Sequence, residues 1–260
     1  MKTKKPRIKT EARKGKEVIV KDFKKGSRRF KRARYEKEKS LYKQLEEKDE
    51  VQTPELIKAD DKEKVLVLEK LEPEPKKKKD NKEIAEKLIE FQFSNVKPKE
   101  SASLKVSDDL GIRTLFDTIL SIRKIGLKNS LLIIKNLISY YFNYKKLDEE
   151  ILIHNDLNKG NIMKEDGEIK FLDLESATTS KKWLYKDIIH YAYNVEEQKL
   201  NKDLINEYEK QLKQKHPKTY KKINKQKEKQ MALLKLFVRK ARKYHIKRKQ
   251  IFFLKHKIIN

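Results

Sequence analysis

The hydrophobic positions of this chain fall in short blocks between charged stretches, and their spacing changes from block to block. Glu17 to Phe23 carries Val18, Ile19 and Val20 in sequence, a β-branched run that predicts a strand ended by Gly26 and Ser27. From Arg29 to Lys48, Phe30, Ala33, Leu41 and Leu45 recur at helical spacing among good helix formers. Thr53-Pro54 marks a turn. Leu56 to Ala59 and Lys64 to Leu71 then predict two strands around the polar tip Asp60-Asp61-Lys62, so the order over residues 1–71 is strand, helix, strand, strand. Pro73 to Asp80 breaks the pattern and reads as an exposed connector. Helices are expected over Asn81 to Phe93, Leu110 to Lys124 and Ser130 to Tyr144. The character changes again at Glu150 to His154, a short apolar run. Ile162–Met163 and Glu168 to Leu174 flank the turn Glu165-Asp166-Gly167, which predicts a β-hairpin. Helices resume from Trp183, and residues 225–260 form a basic segment with the apolar stripe Leu233, Leu234, Phe237, Val238 and Ala241.

Composition narrows the chemistry. Lys and Arg number 67 against 40 Asp and Glu, a formal net charge of +27, which predicts attraction to polyanions: nucleotide phosphates, an anionic membrane surface, or nucleic acid. The 260 residues contain no cysteine, which excludes disulfides, thiolate metal sites and thiol nucleophiles. The basic N-terminus has no apolar core, so no secretory signal is expected, and Ser130 to Phe142 is too short to span a bilayer. A cytoplasmic protein is expected, with peripheral contact at the inner membrane surface.

The stretch ILIHNDLNKGNIMKEDGEIKFLDLE carries the candidate chemistry. One loop supplies Asp156 and, five positions later, Asn161. Asp173 follows at the end of the next strand, and a tight hairpin brings such residues to one point. A carboxylate for an acceptor hydroxyl, together with oxygen ligands for a divalent cation, is what phosphoryl transfer from ATP requires. Upstream, Lys21 closes a β-branched run and Glu38 follows on a helix, the arrangement by which a lysine meets phosphates while a glutamate steadies it. Glu36, half a turn away, is the other candidate partner.

HNDLNKGNIM and FLDLESA resemble the catalytic loop and the metal-binding motif of the aminoglycoside phosphotransferase and choline kinase group of the protein-kinase-like superfamily. The resemblance implies an α+β, two-lobed protein-kinase-like fold, with a small, abbreviated antiparallel-sheet lobe and a mostly helical second lobe. It implies a nucleotide lobe at 1–71, a connector at 72–80, a helical catalytic lobe at 81–224 and a basic C-terminal helical segment at 225–260. In that scheme Asp156 is the catalytic aspartate, and Asn161 and Asp173 hold Mg²⁺. Lys21 and Glu38 serve the ATP phosphates, and the backbone around Glu69 and Leu71 receives the base. His154, Glu175 and Asp187 support the site.

KEVIVKDFKKGSRRFKRARYEKE looks most like bacterial lipopolysaccharide-core sugar kinases, implying a kinase that phosphorylates a sugar hydroxyl. A choline- or aminoglycoside-like small-molecule acceptor is the alternative. An inactive kinase-fold protein binding RNA or another polyanion through its basic termini is the reading from a different class, and nucleic acid is the less favoured partner. One departure stands out. The group's glycine-rich phosphate loop should precede Lys21, and only Gly15 is available, unless Lys14 and Lys16 take its place.

Overall fold

The computed structural model describes residues 7–13, 15–24, 28–72, 80–99, 118–119, 126–143, 146–194 and 199–243. Lys14, Gly26–Ser27, most of the connector, all but two residues of the helix expected over Leu110 to Lys124, and the basic tail beyond Lys243 lie outside them. The chain divides into two compact units, one formed by Met1–Lys105 with Ile151–Thr179, the other by Val106–Glu150 with Ser180–Asn260.

The first unit opens with an antiparallel sheet in the order β1-β2-β4-β3. Its strands are β1 (Arg7–Arg13), β2 (Lys16–Asp22), β3 (Leu56–Asp60) and β4 (Val65–Glu69), and helix α1 (Arg28–Glu46) runs between β2 and β3. Three of these strands match the expectation. β1 was not expected, because RIKTEAR alternates only weakly and none of its positions is buried. It is an edge strand whose charges discourage further pairing, and such a strand reads as a basic tail. Gly15, at φ +76°, makes the β1–β2 turn, where a positive φ matches the twist of the flanking strands.

The face of β2 that carries Val18 and Val20 packs with Val67 and Val65 of β4. Beyond the sheet, α2 (Asn81–Gln92) begins at Asp80, whose side chain accepts the Lys82 N–H, and buries Ile84, Leu88 and Phe91. Phe91 stacks on Phe171 at 4.8 Å and on the His154 ring at 5.9 Å. Strand β5 (Ile151–Ile153) is buried along its length and pairs with β8 (Thr178–Ser180). Between them lies the hairpin β6 (Ile162–Glu165) and β7 (Glu168–Phe171), as expected, with the Phe171 N–H bonded to Gln52 O at 3.0 Å.

The second unit is helical: α3 (Leu127–Asn143), α4 (Lys186–Ala192), α5 (Lys202–Lys215), α6 (Pro217–Lys222) and α7 (Lys225–Lys243), with a short hairpin of β9 (Tyr193–Asn194) and β10 (Lys199–Leu200). From the α7 stripe, Leu234 and Val238 are buried, along with Met231 and Ala232. Leu234 and Val238 therefore serve packing within this unit. None of the helices among the described residues is long and apolar enough to cross a membrane.

Glu228, fully buried in α7, accepts the Tyr140 hydroxyl and the backbone N–H groups of Trp183 at 3.3 Å and Tyr185 at 3.4 Å. Truncation strands those donors, so Glu228→Ala should cost about 3 kcal/mol of stability. Burial raises the Glu228 pKa above its ordinary 4.5 despite these bonds. Its contribution is therefore full below that value and fades as pH rises through the raised one. Urea unfolding of Glu228→Gln across pH should lack this component, and an unchanged pH profile would contradict the assignment.

Candidate active site in the first unit

Strand register places the first group of residues. On β2, Lys21 and Ile19 share one face while Val18 and Val20 take the other. Directly opposite Lys21 and Ile19 stand Ile8 and Thr10 of β1 and Leu66 and Leu68 of β4. Ile8 is 57% exposed, so an apolar patch lies beside Lys21 on the same sheet face. A flat heterocycle fits such a patch.

Lys21 itself is buried. Its ammonium donates to Glu38 Oε1 at 2.6 Å and to Asp173 Oδ1 at 2.8 Å, across 152 residues of sequence in the second case. Glu38 sits on the inward face of α1 and is fully buried, whereas Glu36 pairs with Lys64 at 3.4 Å. Of the two candidates, Glu38 is thus the residue that meets Lys21. Tyr42, one turn further along α1, lies against the same group with its hydroxyl at the backbone of Asp173. Burial and the Glu38 carboxylate raise its pKa. Sequence reasoning did not single out Tyr42 as a site residue, and its offset of one helical turn from Glu38 was the available signal.

Glu175 joins the group. One oxygen each from Glu38, Asp173 and Glu175 lies within 4.8 Å of the others. Three carboxyls gathered near one ammonium leave excess negative charge in a part-buried cluster. Burial disfavours the charged form of Lys21, but Glu38 and Asp173 outweigh it and raise its pKa. Burial likewise pushes the Glu38 carboxyl up to about 7 against the pull of Lys21, with Asp173 and Glu175 adding to the rise. The ammonium therefore stays charged, and below about pH 7 it is Glu38 that takes up the proton.

Two short segments carry the remaining residues. The Asp156 carbonyl accepts the side-chain amides of Asn158 at 3.0 Å and Asn161 at 2.9 Å, and Asn158 Oδ1 accepts the Gly160 N–H at 2.8 Å. With its amide N–H donating to Asp156 O, Asn161 keeps Oδ1 as an acceptor for a cation. The loop is joined to the hairpin exit through Leu172, whose N–H donates to Asn161 O at 3.0 Å and whose carbonyl accepts from His154 Nε2 at 2.7 Å. The histidine tautomer is thereby the one with its proton on Nε2.

Asn155 and Asp173, beside and within the two chemical segments, adopt φ of 72° and 58°. Left-handed backbone in a non-glycine residue stores strain and aims a side chain, and Asn and Asp tolerate it best. Asp173, Asn161 and Glu175 offer hard oxygen donors, a set that fits Mg²⁺.

The other expected residues are placed as follows. Glu69 ends β4, with its carboxylate accepting the Glu55 N–H at 3.2 Å and Lys170 at 3.0 Å, and Leu71 is buried just beyond it. Asp187 lies in the second unit, fully buried in the first turn of α4, with Lys186 Nζ at 3.8 Å. Gly15 and Lys16 stand at the far end of β2 from Lys21, about 17 Å away at the rise of a strand. They cannot replace a phosphate loop there. The described residues next to Lys21 on β1 are Arg7, Ile8 and Lys9.

No family model matches the chain, and no curated protein sequence does. Solved structures do. A choline kinase from Streptococcus pneumoniae aligns with TM-score 0.59 at 14% identity, covering 91% of this chain and 81% of that one. An ADP-bound aminoglycoside phosphotransferase gives TM-score 0.59 at 15% identity, covering 100% and 94%. A putative fructosamine-3-kinase from Haemophilus somnus 129PT gives 0.60 at 14%, covering 97% and 86%. The chain shares the protein-kinase-like fold of these solved structures.

Proposed function

We propose that the chain is a phosphotransferase that moves the terminal phosphoryl group of ATP to an alcohol hydroxyl. The observation that carries this reading is Lys21 held between Glu38 and Asp173, with the Asp156–Asn161 loop stitched to the residue before Asp173. The apolar face around Ile8 and Ile19 takes the base, and the backbone of Glu69 to Leu71 bonds its edge. Lys21, steadied by Glu38, neutralises phosphate charge. Asp173 and Asn161, with Glu175 beside them, would hold Mg²⁺, which would supply charge screening for the phosphates. Asp156 orients the acceptor hydroxyl and accepts its proton. The hydroxyl oxygen then bonds to phosphorus, and the phosphoryl bond to the departing ADP breaks. Positioning and electrostatics supply most of the rate in such a site.

For the acceptor, a sugar hydroxyl of the lipopolysaccharide-core kind is the finer proposal. It is supported by the resemblance of Lys16–Glu38 and by the net charge of +27, which suits an anionic acceptor at the cytoplasmic membrane face. A free small-molecule alcohol is the second reading. It is favoured by solved neighbours named as kinases of choline, aminoglycosides and fructosamine. In either case residues 1–71 serve the nucleotide, 72–80 connect, the helices of 81–224 serve the acceptor, and 225–260 add a basic segment. Calorimetry with ATP, with and without Mg²⁺, tests the core of the proposal. Wild type should bind only when Mg²⁺ is present, and Asp173→Asn should lose most of that affinity. Absence of binding to wild type would overturn it.

A further inference from the structure

The turn Asp166–Gly167 closes the hairpin that carries the site, and the charged residues beside that turn reach across to the end of β4. Glu165, the last residue of β6, accepts the backbone N–H of Glu72 at 2.7 Å through Oε1. Its other oxygen accepts Lys170 Nζ at 2.8 Å, and the same ammonium donates to Glu69 Oε2 at 3.0 Å. The side chains of Glu165 and Lys170 are only 13% and 15% exposed. Burial opposes both charges. The Lys170 ammonium and the Glu72 amide nevertheless hold the Glu165 carboxyl below its ordinary range, and the two carboxylates raise the Lys170 pKa.

The segment Glu69–Glu72 is thus tied at both ends to the hairpin. Asn161 stands immediately before β6, and Asp173 stands two residues after β7. We propose that Glu165 and Lys170 form a clasp that positions the base-binding backbone of Lys70 and Leu71 relative to Asn161 and Asp173. The clasp rests on the phosphotransferase reading. It also assigns the Glu72 N–H to Glu165, so that donor is not offered to a base, and recognition falls to the backbone before it. Charge-assisted bonds to backbone amides are strong and directional, which suits a positioning role. Neither residue touches the reacting groups, so loosening the clasp raises the cost of ordering the hinge on nucleotide binding and leaves the chemical step alone.

The test compares wild type, Lys170→Met and Lys170→Arg by Mg-ATP calorimetry, by steady-state kinetics, and by hydrogen exchange of the amides of residues 70–72. Lys170→Met should weaken Mg-ATP binding and raise the KM for ATP about tenfold, with kcat within about twofold. Its hinge amides should exchange faster, and Lys170→Arg should recover most of both effects. Wild-type affinity and exchange in Lys170→Met would overturn the clasp. So would a parallel fall of kcat, affinity and melting temperature, which marks a merely structural pair. If wild type binds no Mg-ATP, the phosphotransferase reading fails and takes the positioning role with it. In that outcome the exchange data still show whether the clasp holds the hinge.

Discussion

Asp156→Asn should lower turnover roughly a thousandfold while leaving Mg-ATP affinity within about twofold of wild type. The expectation follows from how the loop is built. Its shape depends on the Asp156 carbonyl, which accepts the amides of Asn158 and Asn161, and this backbone group survives the substitution. The Lys21–Glu38–Asp173 cluster that meets the nucleotide contains no part of Asp156. What is lost is the carboxylate that receives the acceptor proton. Single-turnover phosphoryl transfer, measured beside calorimetric ATP binding, separates the two effects. Turnover at the wild-type rate would remove Asp156 from the mechanism.

Lys21→Met should damage both binding and stability. The ammonium is the counter-ion of a fully buried glutamate, and breaking such a pair from one side costs about 3–5 kcal/mol. For a chain of this size that corresponds to a melting temperature lower by roughly 10 °C. The deficit should depend on pH with a definite sign. Burial already lifts the folded Glu38 pKa from 4.5 to about 7, so its favourable contribution is complete below 4.5 and is lost as pH rises through 7. Without Lys21 the rise is larger, so Lys21→Met should approach wild type in acid and fall away from it through neutrality. Thermal melts between pH 5 and 8 measure this. A second substitution, Glu38→Leu, should restore much of the stability and none of the Mg-ATP affinity, separating the structural part of the pair from its phosphate role. A Lys21→Met melting curve parallel to wild type at every pH would contradict the coupling.

Much of this geometry was legible in the chain before any coordinates. Helical periodicity placed α1, α2 and α3 to within a few residues, and the hairpin at Asp166–Gly167 followed from its turn chemistry. Asp156, Asn161 and Asp173 stood out because a polar loop and a strand end in fixed register make a stronger signal than any one carboxylate. The Lys21–Glu38 pair was readable because a strand end and a helix face are each periodic. Other features were not. β1 lacks the alternation of a half-buried strand, since as an edge with both faces open it needs none. The role of Tyr42 depends on the Asp173 backbone returning beneath α1, a contact that the offset from Glu38 alone does not specify. The Glu165–Lys170 clasp was hidden for a different reason. In a chain this rich in charge, many Lys and Glu could pair, and only the fold selects among them.

The left-handed backbone at Asp173 also governs how its chemistry can be dissected. Alanine there removes a carboxylate and, in the same stroke, installs a residue that resists this conformation, so a loss of function would have two causes. Asparagine tolerates the conformation and isolates the charge. Glycine lacks the carboxylate too but relaxes the backbone, so the difference between the glycine and alanine variants isolates the strain. The position is held at a compromise: the residue easiest on the chain has no oxygen to offer, and the residue with the oxygen keeps the chain under tension.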